Sequence, residues 1–176
     1  MLIQNYGLFW RRELIHFGAG GNAGHLKGVI ARETTSEPID FRDQRGVYCL
    51  YDDTFRLVYV GQAGGKNDQR LFGRLKQHRN DYVSDRWTRF SWFGIRRVLK
   101  SGDLSAETEA AHPETSEVLN QIEAILIAAS EPVHNRQGGR FGDKVQRYLQ
   151  YRDRDNLLLD SDEMLRSLWK KFGSDD

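Results

Sequence analysis

The sequence predicts an α/β fold, and three features carry that prediction. Two runs rich in Val, Tyr and Leu, Gly46 to Tyr51 and Leu57 to Gly61, flank the turn-forming stretch Asp52-Asp53-Thr54, the pattern of a β-hairpin. A third run, Trp87 to Leu99, has the aromatic and β-branched content of a strand, although its apolar residues do not alternate cleanly. Helical stretches follow these strands. Gln69 to Arg79 is basic, and in Glu117 to Ser130 the residues Val118, Ile122, Ile125 and Ala129 keep the spacing of a buried stripe.

With 176 residues, 39% of them hydrophobic and 29% charged, the chain has the size and composition of one soluble domain able to bury a core. The formal net charge of +1 argues neither for nor against a nucleic-acid partner. Its distribution says more. Residues 70–100 hold nine Lys or Arg against the acids Asp81 and Asp85, whereas residues 101–123 hold six acids and no Lys or Arg. A polarised surface follows, with a basic side suited to phosphates. The lone cysteine, Cys49, allows no disulfide within the chain and reads as a small buried apolar residue. No run approaches the ~20 apolar residues of a membrane span. The N-terminus lacks the order of a signal peptide, so no membrane association and a cytoplasmic location are expected.

Residues 1–42 read as an N-terminal extension. Residues 1–17 leave strand and short helix both open. Gly18 to Gly28 is glycine-rich but lacks the Gly-Lys-Ser/Thr ending of a phosphate loop, and reads as a surface loop. Ala31 to Arg42, with Pro38, reads as irregular chain leading into the hairpin. Residues 43–141 form the core. In it, the aromatics from Trp87 to Phe93 read as core between sheet and helices, with base stacking as the alternative. Ser101 to Ser116 is a solvated loop in which His112 has no role, and Pro132 stops the long apolar helix. Residues 142–176 read as helices packed on the core. One spans Asp143 to Asp155. Another begins near Asp160, where Asp160 and Glu163 have capping-box spacing, and carries Met164, Leu165, Leu168, Trp169 and Phe172 on its apolar face. The alternative reading of these helices is a surface for a protein partner or a dimer.

Each hairpin strand carries a short signature, Gly46-Val47-Tyr48 in the first and Tyr59-Val60-Gly61 in the second. Downstream come Arg74 and His78 on the basic helix, Glu123 on the apolar helix and Asn135 just beyond it. This ordered set resembles the GIY-YIG nuclease family over roughly residues 43 to 140. The resemblance implies a small, mainly antiparallel three-stranded sheet flanked by helices, and a metal-dependent endonuclease acting on DNA, chiefly double-stranded. Fifteen positions separate Tyr59 from Arg74, more than in compact members of the family, and the glycine-bearing loop Gly61 to Gln69 absorbs the excess. The four-residue spacing to His78 favours Arg74 over Arg70 for the catalytic position.

Phosphodiester hydrolysis requires a deprotonated water, charge compensation at phosphorus and a stabilised leaving oxygen. On the family pattern Arg74 grips the scissile phosphate, as a guanidinium fork suits. His78 contacts a signature tyrosine. Tyr48 is the first choice for proton acceptor, with Tyr59 beside the phosphate, although a free phenol with a pKa near ~10 is a poor base at neutral pH. Glu123, in the middle of an apolar helix, reads either as the ligand of Mg²⁺ or Mn²⁺ or as half of a buried salt bridge, and the resemblance favours the metal. Asn135 would hold backbone or phosphate near the active face, and His134 beside it reads as structural. Gln62, Arg70, Lys76, Arg79, Arg96 and Arg97 are the candidate nucleic-acid contacts, giving salt-sensitive and mostly sequence-independent binding. The rival reading is a non-catalytic nucleic-acid-binding or partner-recruiting module on the same fold.

Overall fold

The computed structural model describes residues 2–19, 21, 23–31, 37–64, 69–106, 115–130, 141, 144–153 and 165; within the helix 115–130, side chains are described for 121, 122 and 124–130. Seven strands form one sheet: β1 (Asn5–Arg11), β2 (Lys27–Ile30), β3 (Ile39–Asp40), β4 (Gly46–Tyr51), β5 (Leu57–Ala63), β6 (Arg89–Gly94) and β7 (Gln146–Gln150). Their order is β3-β2-β7-β1-β6-β4-β5. The β1–β7 pair is parallel and the other pairs are antiparallel. The α-helices with described bounds are α1 (Leu71–Gln77) and α2 (Thr115–Ser130), and Arg12–Leu14 forms a short 3-10 helix. No helix among the described residues is long and apolar enough to cross a membrane.

This architecture corrects the expected three-stranded sheet. The hairpin and the third strand are present, as β4, β5 and β6, but they make up one side of a sheet more than twice that width. The N-terminal segment supplies β1, β2 and β3, with β1 paired directly to β6. Part of the segment expected as a helix from Asp143 to Asp155 is instead β7, an interior strand between β2 and β1. Tyr148 anchors it. Its ring is buried against Phe41, with centroids 4.6 Å apart, and its carbonyl accepts the Trp10 indole N–H at 3.2 Å. The indole of Trp10 lies across Gly7 and Gly28, where a Cβ would run into the ring. The helix expected from Asp160 falls outside the described residues, apart from the helical Leu165.

Strand alternation gives the sheet two apolar faces. Tyr48 and Leu50 of β4 join Phe90 and Trp92 of β6 on one face, under Leu71, Phe72 and Leu75 of α1. Cys49, Tyr51 and Phe93 point the other way, under Ala124, Ala128 and Ala129 of α2. The Tyr51 hydroxyl donates to the Ala129 carbonyl at 2.8 Å, and the Ile3 N–H donates to Gln121 Oε1 at 2.6 Å. The two described α-helices therefore cover opposite faces. The aromatics between Trp87 and Phe93 are buried core, as their composition predicts.

Candidate active site

The site forms where β4 and β5 meet α1. Tyr48 stands directly opposite Gly61 in the hairpin. A Cβ at Gly61 would collide with the Tyr48 hydroxyl and would come 2.7 Å from Tyr59 Cε1, so the glycine leaves room for both rings. Tyr59 lies two residues before Gly61, on the same face of β5. The centroids of the two tyrosine rings are 6.0 Å apart.

The start of α1 is tied to the chain ahead of β4: the Leu71 N–H donates to the Gln44 carbonyl at 3.0 Å and the Phe72 N–H to the Arg42 carbonyl at 3.1 Å. These bonds satisfy two of the donors a helix start leaves open. Burial of Leu71, Phe72 and Leu75 then sets the rotation of the helix. One edge, carrying Arg74 and the C-cap residue His78, is turned toward the tyrosines.

Four predicted residues converge there. Tyr48 Oη and His78 Nε2 share a hydrogen bond of 2.7 Å. Arg74 Nε donates to Tyr48 Oη at 3.2 Å, and Arg74 Nη2 donates to Tyr59 Oη at 3.4 Å. Arg74 Nη1 also donates to Gln77 Oε1 at 2.9 Å. The edge of the Tyr59 ring meets the imidazole at 4.7 Å between centroids. Tyr48 and His78 are 0% and 2% exposed, so the phenol and imidazole meet away from bulk water. Burial pushes the Tyr48 phenol up to about 12, against the opposing pull of Arg74. Burial likewise lowers the pKa of His78, opposed by Asp81. At neutral pH both groups are uncharged.

Asp81 is the member of the site that sequence reasoning passed over. Its Oδ2 is 2.6 Å from His78 Nδ1. In the sequence it counted only as an acid in a basic stretch. The available signal was its position three residues after a histidine at the end of a helix.

The remaining candidates are dispersed. Gln62 is exposed on β5 and, by alternation, faces away from Tyr59 and Gly61. Arg70 is half-buried at the N-cap of α1. Lys76 and Arg79 are exposed, and the Arg79 guanidinium lies 4.4 Å from the centroid of the Phe17 ring. Arg96 is committed to the fold: it donates to the carbonyls of Ser105 at 2.6 Å, Asp43 at 2.8 Å and Leu104 at 3.2 Å. Arg97 is exposed beside it. Glu123 belongs to α2, on the sheet face opposite α1, and its side chain lies outside the described residues. Asn135, His134 and His112 also lie outside them. Among the described residues, no group of three or more His, Cys, Asp or Glu could hold a metal ion. No family model, no curated protein and no solved structure matches this chain.

Proposed function

We propose that this protein is a phosphodiester hydrolase, a metal-dependent endonuclease acting on DNA. The observation that carries the reading is the position of Arg74: its guanidinium bonds both signature tyrosines while His78 bonds the buried one. Such a fork, held by two phenol oxygens and the Gln77 amide oxygen rather than by a carboxylate, is free to exchange them for phosphate oxygens. Tyr48 is closed to solvent while Arg74 covers it. In this reading Arg74 turns to the scissile phosphate, water takes its place at the phenol, and Tyr48 receives a proton from that water with His78 behind it. In the same reading the exposed Lys76 and Arg79 serve as contacts to the nucleic-acid backbone.

The family resemblance adds Mg²⁺ or Mn²⁺, with Glu123 as ligand. Such an ion would offset charge on the leaving oxygen. The described residues around the tyrosines do not fit a metal centre by themselves, because the Asp81 carboxylate already faces His78 and accepts the Val83 N–H at 3.1 Å. The reading therefore assigns no step to the ion. The location of α2 on the opposite face favours a second reading, a nucleic-acid-binding or partner-recruiting module without catalysis.

Nicking of supercoiled plasmid in Mg²⁺ or Mn²⁺ tests both. Metal-dependent cleavage by wild type, lost in Arg74→Ala and in Glu123→Ala, is the expected result. Cleavage that survives Glu123→Ala removes the metal-ligand role. Salt-sensitive DNA binding with no cleavage by wild type selects the binding module.

A further inference from the structure

We infer that Asp81 is a positioning residue: it locks His78 in the tautomer whose Nε2 lone pair faces the Tyr48 hydroxyl. An ionised carboxylate only accepts hydrogen bonds, and Asp81 Oδ2 lies 2.6 Å from His78 Nδ1. Nδ1 therefore carries the proton. A neutral imidazole has one donor and one acceptor, so Nε2 is the acceptor, and Tyr48 donates to it across 2.7 Å. Arg74 closes the pattern. Its Nε–H already fills an acceptor position on the Tyr48 oxygen. The opposite tautomer would point Nε2–H at that oxygen, leave the phenol proton to Tyr59 and set a lone pair against the Asp81 carboxylate.

The lock is braced on both sides. The other Asp81 oxygen accepts the Val83 N–H at 3.1 Å, fixing the carboxylate, and the Trp87 indole donates to the His78 carbonyl at 3.0 Å, fixing the backbone of His78. The titratable and charged groups facing the imidazole are Tyr48 from β4, Tyr59 from β5, Arg74 from α1 and Asp81 from the turn after α1. Burial and Arg74 both disfavour its protonation, and Asp81 is the group that favours it.

The consequence for chemistry rests on the hydrolase reading. As the attacking water gives its proton to the Tyr48 oxygen, the phenol's own proton moves to His78 Nε2. The resulting hydroxide forms the new bond to phosphorus and the bond to the leaving ester oxygen breaks. That oxygen takes a proton from solvent, and the imidazolium, paired with Asp81, returns its extra proton through Tyr48 to solvent. Tyr48 is thus a relay with no need to persist as phenolate.

The test compares wild type, Asp81→Asn and Asp81→Glu by long-range ¹H–¹⁵N NMR of the His78 ring and by the pH profile of plasmid nicking. Asparagine keeps an oxygen for Val83 but can donate to Nδ1. The expected results are an Nδ1–H ring in wild type and Asp81→Glu, and an Nε2–H ring in Asp81→Asn. Nicking should fall in Asp81→Asn by roughly 100-fold, within the range of general-base catalysis, with its acid limb moved to lower pH and partial recovery in Asp81→Glu. A wild-type ring protonated on Nε2, or an Asp81→Asn variant with ring and pH profile unchanged, overturns the inference. An Nδ1–H ring in a wild type that does not nick supports the lock and overturns only the hydrolase reading.

Discussion

Two glycines close to the site should respond in opposite directions to the same added methyl group. At Gly61 an alanine Cβ would fall onto the Tyr48 hydroxyl and 2.7 Å from Tyr59 Cε1. Tyr48 cannot retreat, because it is 0% exposed and packed within the same core as Leu75 and Trp92. Relief has to come from displacing the phenol or the backbone of β5, and overpacking of this kind costs about 1–3 kcal/mol. For a chain of this size that corresponds to a fall in Tm of about 2–12 °C. At Gly73, within α1, a Cβ meets nothing within 4 Å. Gly73→Ala only removes backbone freedom from the unfolded chain, and should gain about 0.5–1 kcal/mol. Thermal and urea unfolding followed by circular dichroism read both effects, each against wild type. A Gly61→Ala variant as stable as wild type would refute the argument, since it would mean that Tyr48 does not lie against the β5 backbone.

Two further outcomes follow from the burial of the same groups. Tyr48→Phe leaves His78 Nε2 and Arg74 Nε without their shared hydroxyl; it should cost about 1–3 kcal/mol in urea unfolding and abolish nicking, and full activity in the folded variant would remove Tyr48 from the reaction. Burial holds the pKa of His78 and of His25 below the ordinary 6.5. The unfolded chain therefore takes up their protons first as the pH falls, so stability is fully present above about pH 6.5 and declines on acidification toward the lower native pKa values. The urea midpoint should drop between pH 7.5 and 5, with a shallower slope in His78→Gln, and an unchanged slope in that variant would mean that His78 is not held neutral.

What could be read from the sequence depended on how local its cause is. The β4–β5 hairpin was legible because turn residues separate two runs of strand-forming residues, and the Asp52 side chain indeed closes the turn by accepting the Thr54 and Arg56 N–H groups, both at 2.9 Å. The helical spacing of Arg74 and His78 was legible for the same reason. β1 was not. It lies inside the sheet with a core on each face, and a bulge between Gly7 and Trp10, with Phe9 at φ 52°, breaks its period. Nor was β7, whose five residues, Gln-Arg-Tyr-Leu-Gln, look like a polar helix segment. They become a strand through pairing with β1, some 140 positions earlier, and with β2. Arg96 resembled a phosphate contact because nothing near it in the sequence indicates that the carbonyls of Asp43, Leu104 and Ser105 converge on it. Asp81 escaped notice for the opposite reason: a three-residue offset from a histidine is common, and only the burial of His78 makes the contact consequential.

The two-faced sheet sharpens the question of Glu123. The alternation that turns Tyr48 toward α1 turns Cys49 and Tyr51 toward α2, so the helix that carries Glu123 packs on the side of the sheet away from the phenols. The tyrosines stand on the last two strands, with β5 at the edge. Glu123 would then hold the metal ion and supply charge for the leaving oxygen, while the Tyr48–His78–Asp81 chain of hydrogen bonds would move the proton. The two halves of the reaction would then be separable. Glu123→Ala should abolish metal-dependent nicking while leaving the His78 ring signals of the free protein unchanged, whereas Asp81→Asn should change both. If Glu123→Ala also altered the His78 ring, the carboxylate would belong to the proton relay, and the division of labour across the two faces of the sheet would be wrong.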